Sequence, residues 1–174
     1  MPWHDRAWND AQERITNQVP QYIETPVANQ APFWPLSLVL IKPDAFDRGL
    51  AETILTMLFD DGFRIEQMKT TEMTPELCDR HYAEHTAKDW YPGLKEAMCG
   101  KKLLALALNG DGERIREACT VIRAIYVDNK YVGPRNLVHS SDSPTSALKE
   151  LVLWFPAPKP ESFQRTFAEE LRDS

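Results

Sequence analysis

Residues 37–44 read SLVLIKPD, an apolar run of strand length followed by Lys42 and then by a Pro-Asp pair. A short apolar run bounded by a turn signal reads as a buried strand, and Pro43-Asp44 ends it abruptly. Lys42 is therefore expected at the edge of a strand. The adjoining stretch GLAETILTMLFDDG (49–62) sets Leu50, Ile54, Leu55 and Leu58 at helical spacing, with Gly62 as its C-terminal stop. After it, FRIEQMKTTEM (63–73) reads as a second strand.

TPELCDRHYAEH (74–85) then offers Thr74 as N-cap, Pro75 at the first helical position and Glu76 in the first turn. YPGLKEAMCG (91–100) reads as another short helix and KLLALAL (102–108) as a buried strand. DGERIREACTVIRAIY (111–126) returns to helical spacing through Ile115, Cys119 and Ile122. NLVHS (136–140) reads as a fourth strand, and SPTSALKELVLWF (143–155) as a helix capped by Ser143 with Pro144 in first position. Without the inserted helices the order is strand, helix, strand, strand, helix, strand. This predicts an α+β protein of the ferredoxin-like βαββαβ arrangement, a four-stranded antiparallel sheet with helices on one face.

Three segments differ in texture. Residues 1–36 carry Trp3, Trp8 and Trp34 among several prolines and read as an N-terminal arm, 37–156 form the domain, and 157–174 form an extension with a proline-rich turn and a short charged helix. The 174 residues are 43% hydrophobic and 26% charged, with no apolar run near the roughly 20 residues of a membrane span. A soluble chain with no membrane partner is expected. The net charge of −6 argues against a nucleic-acid binder, while a local cluster of Lys and Arg can still hold a small anion. Cys78, Cys99 and Cys119 are odd in number and show no metal-ligand spacing, and the first residues lack the apolar stretch of a secretory leader. Both points fit a reducing, cytoplasmic setting.

The chemistry concentrates around RNLVHSSDS (135–143). A histidine ending an apolar strand is commonly a hydrogen-bonded structural residue. His139, however, leads into a polar turn capping a helix on which Glu150 lies one to two turns onward. A carboxylate on one ring nitrogen fixes the tautomer and leaves the other nitrogen nucleophilic; Glu150 also suits a solvated helix face. Such a nucleophile fits phosphoryl transfer, which depends on positioning and on cations that neutralise phosphate oxygens. Lys42 supplies one, and Arg116 and Arg123, seven residues apart, can share a helix face, or both can be plain surface residues. Tyr82, Trp90 and Tyr91 form an aromatic cluster in which one exposed ring would stack on a nucleobase. Core packing is the reading preferred for Trp90. Neither a GxxxxGK[ST] loop nor a GxGxxG is present.

LVLIKPDAFDRGL (38–50), HYAEH (81–85), WYPGL (90–94) and above all RNLVHSSDSPTSALKELVLWF (135–155) together resemble the nucleoside diphosphate kinases. The resemblance implies the ferredoxin-like fold and transfer of a γ-phosphate from a nucleoside triphosphate to a diphosphate through a phosphohistidine at His139. It implies that Glu150 orients the imidazole, that Ser141 hydrogen-bonds near Glu150, and that Lys42 and Tyr82 contact the phosphoryl group. It places Tyr91 on the base, Asn136 on the sugar, and Arg116, Arg123 and, loosely, Thr120 on the phosphates. Mg²⁺ would arrive on the nucleotide, with no protein metal site.

The chain departs from the family pattern in two ways. The long loop that usually precedes the histidine strand is missing, since RIREACTVIRAIY runs almost directly into it, and Ser140 replaces a common glycine. The shortened loop, together with the aromatic arm at 1–36, supports a second expectation, a nucleotide-binding regulatory module with little turnover. Exposed sheet edges and the aromatic arm suggest a homodimer or dimer-based assembly.

Overall fold

β1 (Leu36–Ile41) runs through the middle of a four-stranded sheet whose strand order is β2-β3-β1-β4. The computed structural model describes residues 36–128 and 133–156. The expected arm, apart from Leu36, and the whole C-terminal extension lie outside the described residues. After β1 come α1 (Pro43–Asp47), α2 (Ala51–Asp60), β2 (Arg64–Glu72) and α3 (Pro75–His81). A 3₁₀ turn (Ala83–His85), α4 (Tyr91–Met98) and β3 (Lys102–Asn109) come next. The described chain closes with α5 (Gly112–Ile125), β4 (Val138–Ser140) and α6 (Pro144–Trp154). Every neighbouring pair of strands is antiparallel, as the βαββαβ order requires.

The helix ends arise from local chemistry. Thr74 Oγ1 accepts the Leu77 N–H at 3.1 Å, Ser143 Oγ accepts the Ser146 N–H at 3.1 Å, and Asp111 Oδ1 accepts the Glu113 N–H at 2.9 Å. α2 stops where Gly62 takes φ +85° and returns its N–H to the Phe59 carbonyl at 2.8 Å, a conformation that costs glycine little. α1 has no counterpart among the expected elements. It is a single turn opened by Pro43, whose fixed φ and missing N–H suit a first helical position.

The expectation of helices on one face is corrected. Val39 and Ile41 pack with Ile54, Leu55 and Leu58 of α2 and with Ile115, Cys119 and Ile122 of α5. Leu38 and Leu40, on the opposite face, pack with Cys78 of α3, Leu94 and Met98 of α4, and Trp154 of α6. A strand apolar at consecutive positions has to be covered on both sides, and the inserted helices α3 and α4 join α6 in covering the second. Among the described residues no helix is long and apolar enough to cross a membrane.

Candidate active site

β4 pairs with β1 at the Leu40–His139 register and brings His139 beside the C-terminal end of β1. The chain enters β4 through a sharp bend. The Val138 N–H bonds the Asn136 carbonyl at 2.8 Å across Leu137, which sits at φ +71°. This is a γ-turn with positive φ at a non-glycine residue, a strained geometry that persists only where its surroundings enforce it. The enforcement comes from residues more than ninety positions earlier in the chain. Asp44 Oδ2 accepts the Leu137 N–H at 2.9 Å, and the Lys42 N–H bonds the Leu137 carbonyl at 2.8 Å. Burial pushes the Asp44 carboxyl above its ordinary pKa, opposed by Lys42 and by the Leu137 bond.

His139 Nε2 lies 3.1 Å from Glu150 Oε1, with both side chains mostly buried. A carboxylate only accepts, so the neutral imidazole carries its proton on Nε2 and its free lone pair on Nδ1. Glu150 is itself held, because Ser141 Oγ donates to its Oε2 at 2.5 Å. The same Ser141 hydroxyl accepts the Leu38 N–H at 3.1 Å, so the carboxylate is tied to the central strand through a fully buried hydroxyl. The family resemblance implies the contact of Ser141 with Glu150. The anchorage of Ser141 on Leu38 has no local sequence signal.

Lys42 is 3% exposed. Its ammonium donates to Asn136 Oδ1 at 2.7 Å and to the Pro134 carbonyl. Burial brings its pKa down from 10.5 to about 8, with Asp44 opposing and Arg123 adding to the fall. Arg123, in the last turn of α5, donates Nε–H to the Val138 carbonyl at 3.1 Å and Nη1–H to Thr120 Oγ1 at 3.5 Å. Thr120 thus bears on Arg123, and its own hydroxyl donates to the Arg116 carbonyl at 2.9 Å. Arg116 lies exposed two turns back along α5 and is not among the described residues that line the cleft.

A cleft of about 330 Å³ opens beside His139, lined by Lys42, Arg123 and Asn136 and by Trp90 and Leu94. That size suits a small-molecule ligand. Tyr82 also lines it, with burial pushing its hydroxyl well above the usual range, so that it stays a donor.

The aromatic assignment is corrected. Tyr91 is 5% exposed and belongs to the core beneath the sheet, its hydroxyl donating to Asp79 Oδ1 at 2.5 Å. Trp90, read as core, is 47% exposed and lines the cleft. The signal is present in the sequence: Tyr91, Leu94 and Met98 are spaced as one buried helical stripe, and Trp90 falls 100° off it.

A second, more polar cleft of about 510 Å³ meets the other side of His139, bounded by His81, Glu84, His85, Lys149 and Glu150. Ligand-type atoms of His81, His139 and Glu150 lie within 4.8 Å of one another. They do not present three lone pairs to a metal. His139 Nε2 is bonded to Glu150, and His81 Nδ1 accepts the Trp154 Nε1–H at 3.1 Å, which leaves the His81 proton on Nε2.

With this geometry, the comparisons with known proteins agree. The family model described as nucleoside diphosphate kinase matches residues 36–159. A nucleoside diphosphate kinase of Nocardioides sp. is 40% identical over 129 residues, covering 69% of this chain and 96% of the relative. One of Rhodopirellula baltica is 36% identical over 133 residues, covering 70% and 86%. Among solved structures, the Aquifex aeolicus nucleoside diphosphate kinase superimposes with a TM-score of 0.62 at 30% identity, covering 71% of this chain and 96% of that one. The Halobacterium salinarum nucleoside diphosphate kinase in complex with CDP gives 0.61 at 26%, covering 70% and 87%.

Proposed function

The chain belongs to the nucleoside diphosphate kinase family, and from that premise we propose that His139 carries the phosphoryl group from a nucleoside triphosphate to a nucleoside diphosphate. The observation that supports this most directly is the Glu150–His139 pair. With the proton held on Nε2, the Nδ1 lone pair is the one free to react, and His139 forms part of the wall of a cationic cleft.

In the first half-reaction Nδ1 attacks the γ-phosphorus. The N–P bond forms, the bond from phosphorus to the β–γ bridging oxygen breaks, and the diphosphate leaves with that electron pair. Glu150 compensates the positive charge that develops on the ring, and Ser141 keeps the carboxylate from turning away. Lys42 and Arg123 neutralise the phosphoryl oxygens, and the Tyr82 hydroxyl donates to them. The second half-reaction is the reverse, with a different diphosphate as acceptor.

Trp90 takes the base between its ring and the Leu94 side of the cleft, and an aromatic face reads no base edge, so broad base tolerance is expected. Asn136, already bonded to Lys42, takes the sugar. Arg116 and Thr120 take no direct part: Thr120 acts by steadying Arg123.

The cleft wall offers Lys42, Arg123 and the Asn136 amide, with no carboxylate among the described lining residues. This donor set fits a phosphate chain that brings its own Mg²⁺, and the ion, when bound, neutralises phosphate charge. A homodimer or dimer-based assembly remains the one proposed, supported by β2 and β4 as the two edges of the sheet. Light scattering that returns the mass of a single chain at micromolar concentration refutes it.

The test of the chemistry is direct. Incubated with γ-labelled MgATP, the protein takes up an acid-labile label that a nucleoside diphosphate removes, and His139→Ala takes up none. Equal labelling of the two proteins overturns the assignment.

A further inference from the structure

Beside His139 sits an imidazole that the transfer does not use. His81, the last residue of α3, packs its ring at 80° to that of His139, with centroids 4.7 Å apart. On its other side it meets the fully buried Trp154 at 89° and 5.6 Å, where the indole N–H bonds its Nδ1. An indole N–H only donates, so His81 Nδ1 must keep its lone pair and Nε2 must carry the proton of the neutral ring. That Nε2 is buried and has no hydrogen-bond partner among the described residues. A buried, unpaired donor costs stability, and this one belongs to the ring packed against the nucleophile.

We propose that His81 is a positioning residue for His139, locked by Trp154 in the neutral tautomer protonated on Nε2, so that it braces the reacting ring without adding a second cation beside Glu150. This rests on His139 being the phosphoryl carrier. The groups facing His81 are His139 on β4, Glu150 on α6, Lys42 at the start of α1, His85 in the 3₁₀ turn and the adjoining Tyr82. Glu150 is the anion closest in among them, with ligand-type atoms of His81, His139 and Glu150 within 4.8 Å of one another, while Glu84 and Asp142 line the polar cleft that His81 also bounds. A charged His81 would compete with His139 for the Glu150 carboxylate at the moment the His139 ring becomes positive. Burial, with His139, Lys42 and His85 adding to it, pushes the His81 pKa well below 6.5. The Trp154 bond acts in the same direction, because it occupies the lone pair that a proton would need.

The experiment is single-turnover phosphorylation of the full chain by MgATP from pH 6 to pH 9, with His81→Asn and Trp154→Phe alongside. An asparagine amide oxygen takes the place of Nδ1 and keeps the Trp154 bond, while the rest of the ring is lost. His81→Asn should phosphorylate roughly tenfold more slowly across the pH range, with nucleotide KM within about twofold of wild type. Trp154→Phe should match wild type at pH 8 and slow at pH 6, its acid limb moved up by roughly 0.5–1 pH unit, the worth of one hydrogen bond to the neutral ring. Nitrogen-15 spectra of the histidines need no variant, and should show wild-type His81 as the neutral Nε2–H tautomer down to pH 6. Wild-type kinetics in His81→Asn, or a wild-type His81 that titrates near 6.5, overturns the proposal. A wild-type chain that takes no label, or a His139→Asn chain that does, overturns the His139 assignment instead, so the two failures are distinguishable.

Discussion

Lys42 is held in the fold at a cost that the proposed phosphoryl transfer explains, and replacing it with methionine should make that cost measurable. The gap between 10.5 and about 8 corresponds to roughly 3 kcal/mol at about 1.4 kcal/mol per tenfold change. Below pH 8 both folded and unfolded chains hold the proton, and the folded state bears the full penalty of a charge that is 3% exposed. Between pH 8 and 10.5 the unfolded chain binds the proton more tightly, so stability rises with pH across this window. Above it both forms are neutral and the penalty is gone.

Lys42→Met removes the charge while keeping an unbranched apolar stem. The acceptors it leaves behind, Asn136 Oδ1 and the Pro134 carbonyl, border the cleft and can be rehydrated. The variant should therefore be as stable as wild type at pH 7, or more so, while its phosphotransfer falls by at least about a hundredfold. Urea unfolding of both proteins from pH 7 to pH 10.5 reads the effect as a difference, so that groups common to the two cancel. Wild type should gain up to about 3 kcal/mol relative to Lys42→Met over that range. A difference that stays flat with pH, or a variant several kcal/mol less stable at pH 7, refutes the reasoning.

The same contacts lead to further expected outcomes. Glu150→Gln keeps the shape but exchanges a charge-assisted hydrogen bond for a neutral one, so His139 phosphorylation should slow roughly ten- to thirtyfold while calorimetric nucleotide affinity stays the same. Ser141→Ala strands the Leu38 N–H and frees one Glu150 oxygen, which should cost about 1–3 kcal/mol by denaturant unfolding and slow transfer together. Trp90→Ala should raise KM roughly five- to hundredfold, by a similar factor for purine and pyrimidine diphosphates, whereas Tyr91→Phe should leave KM alone. A KM effect in Tyr91→Phe matching that of Trp90→Ala would restore the stacking role to Tyr91.

The connection before β4 is short in this chain, and the described part of it shows what still reaches the cleft. Arg123 comes from the end of α5, and Pro134 and Asn136 come from the approach to β4. The cation is thus supplied by the end of a helix, and the polar acceptors by the short turn and bend that lead into β4. Residues held by a helix turn or a strand register are placed more exactly than residues on a long loop, which is consistent with a catalytic end that keeps its groups although the loop is reduced.

The order of elements, the Thr74 and Ser143 caps and the Gly62 stop are legible in the sequence, while the spacing of His139 and Glu150 leaves their pairing open and the family resemblance is what implies it. The legible features rest on interactions between near neighbours, where helical periodicity and capping hydroxyls leave few alternatives. Other features depend on contacts between segments far apart in the chain. Asp44 fixes the Leu137 bend from 93 residues away, and Ser141 is anchored on Leu38 across 103. Which of two adjacent aromatics faces the cleft is marked locally by the stripe of Tyr91, Leu94 and Met98, but the packing of α4 against the sheet is what buries that stripe. Burial on both faces of β1 likewise depends on where the inserted helices land. Local chemistry fixes what each segment becomes, but the strained turn, the buried lysine and the packing of His81 between His139 and Trp154 exist only because distant segments close around them.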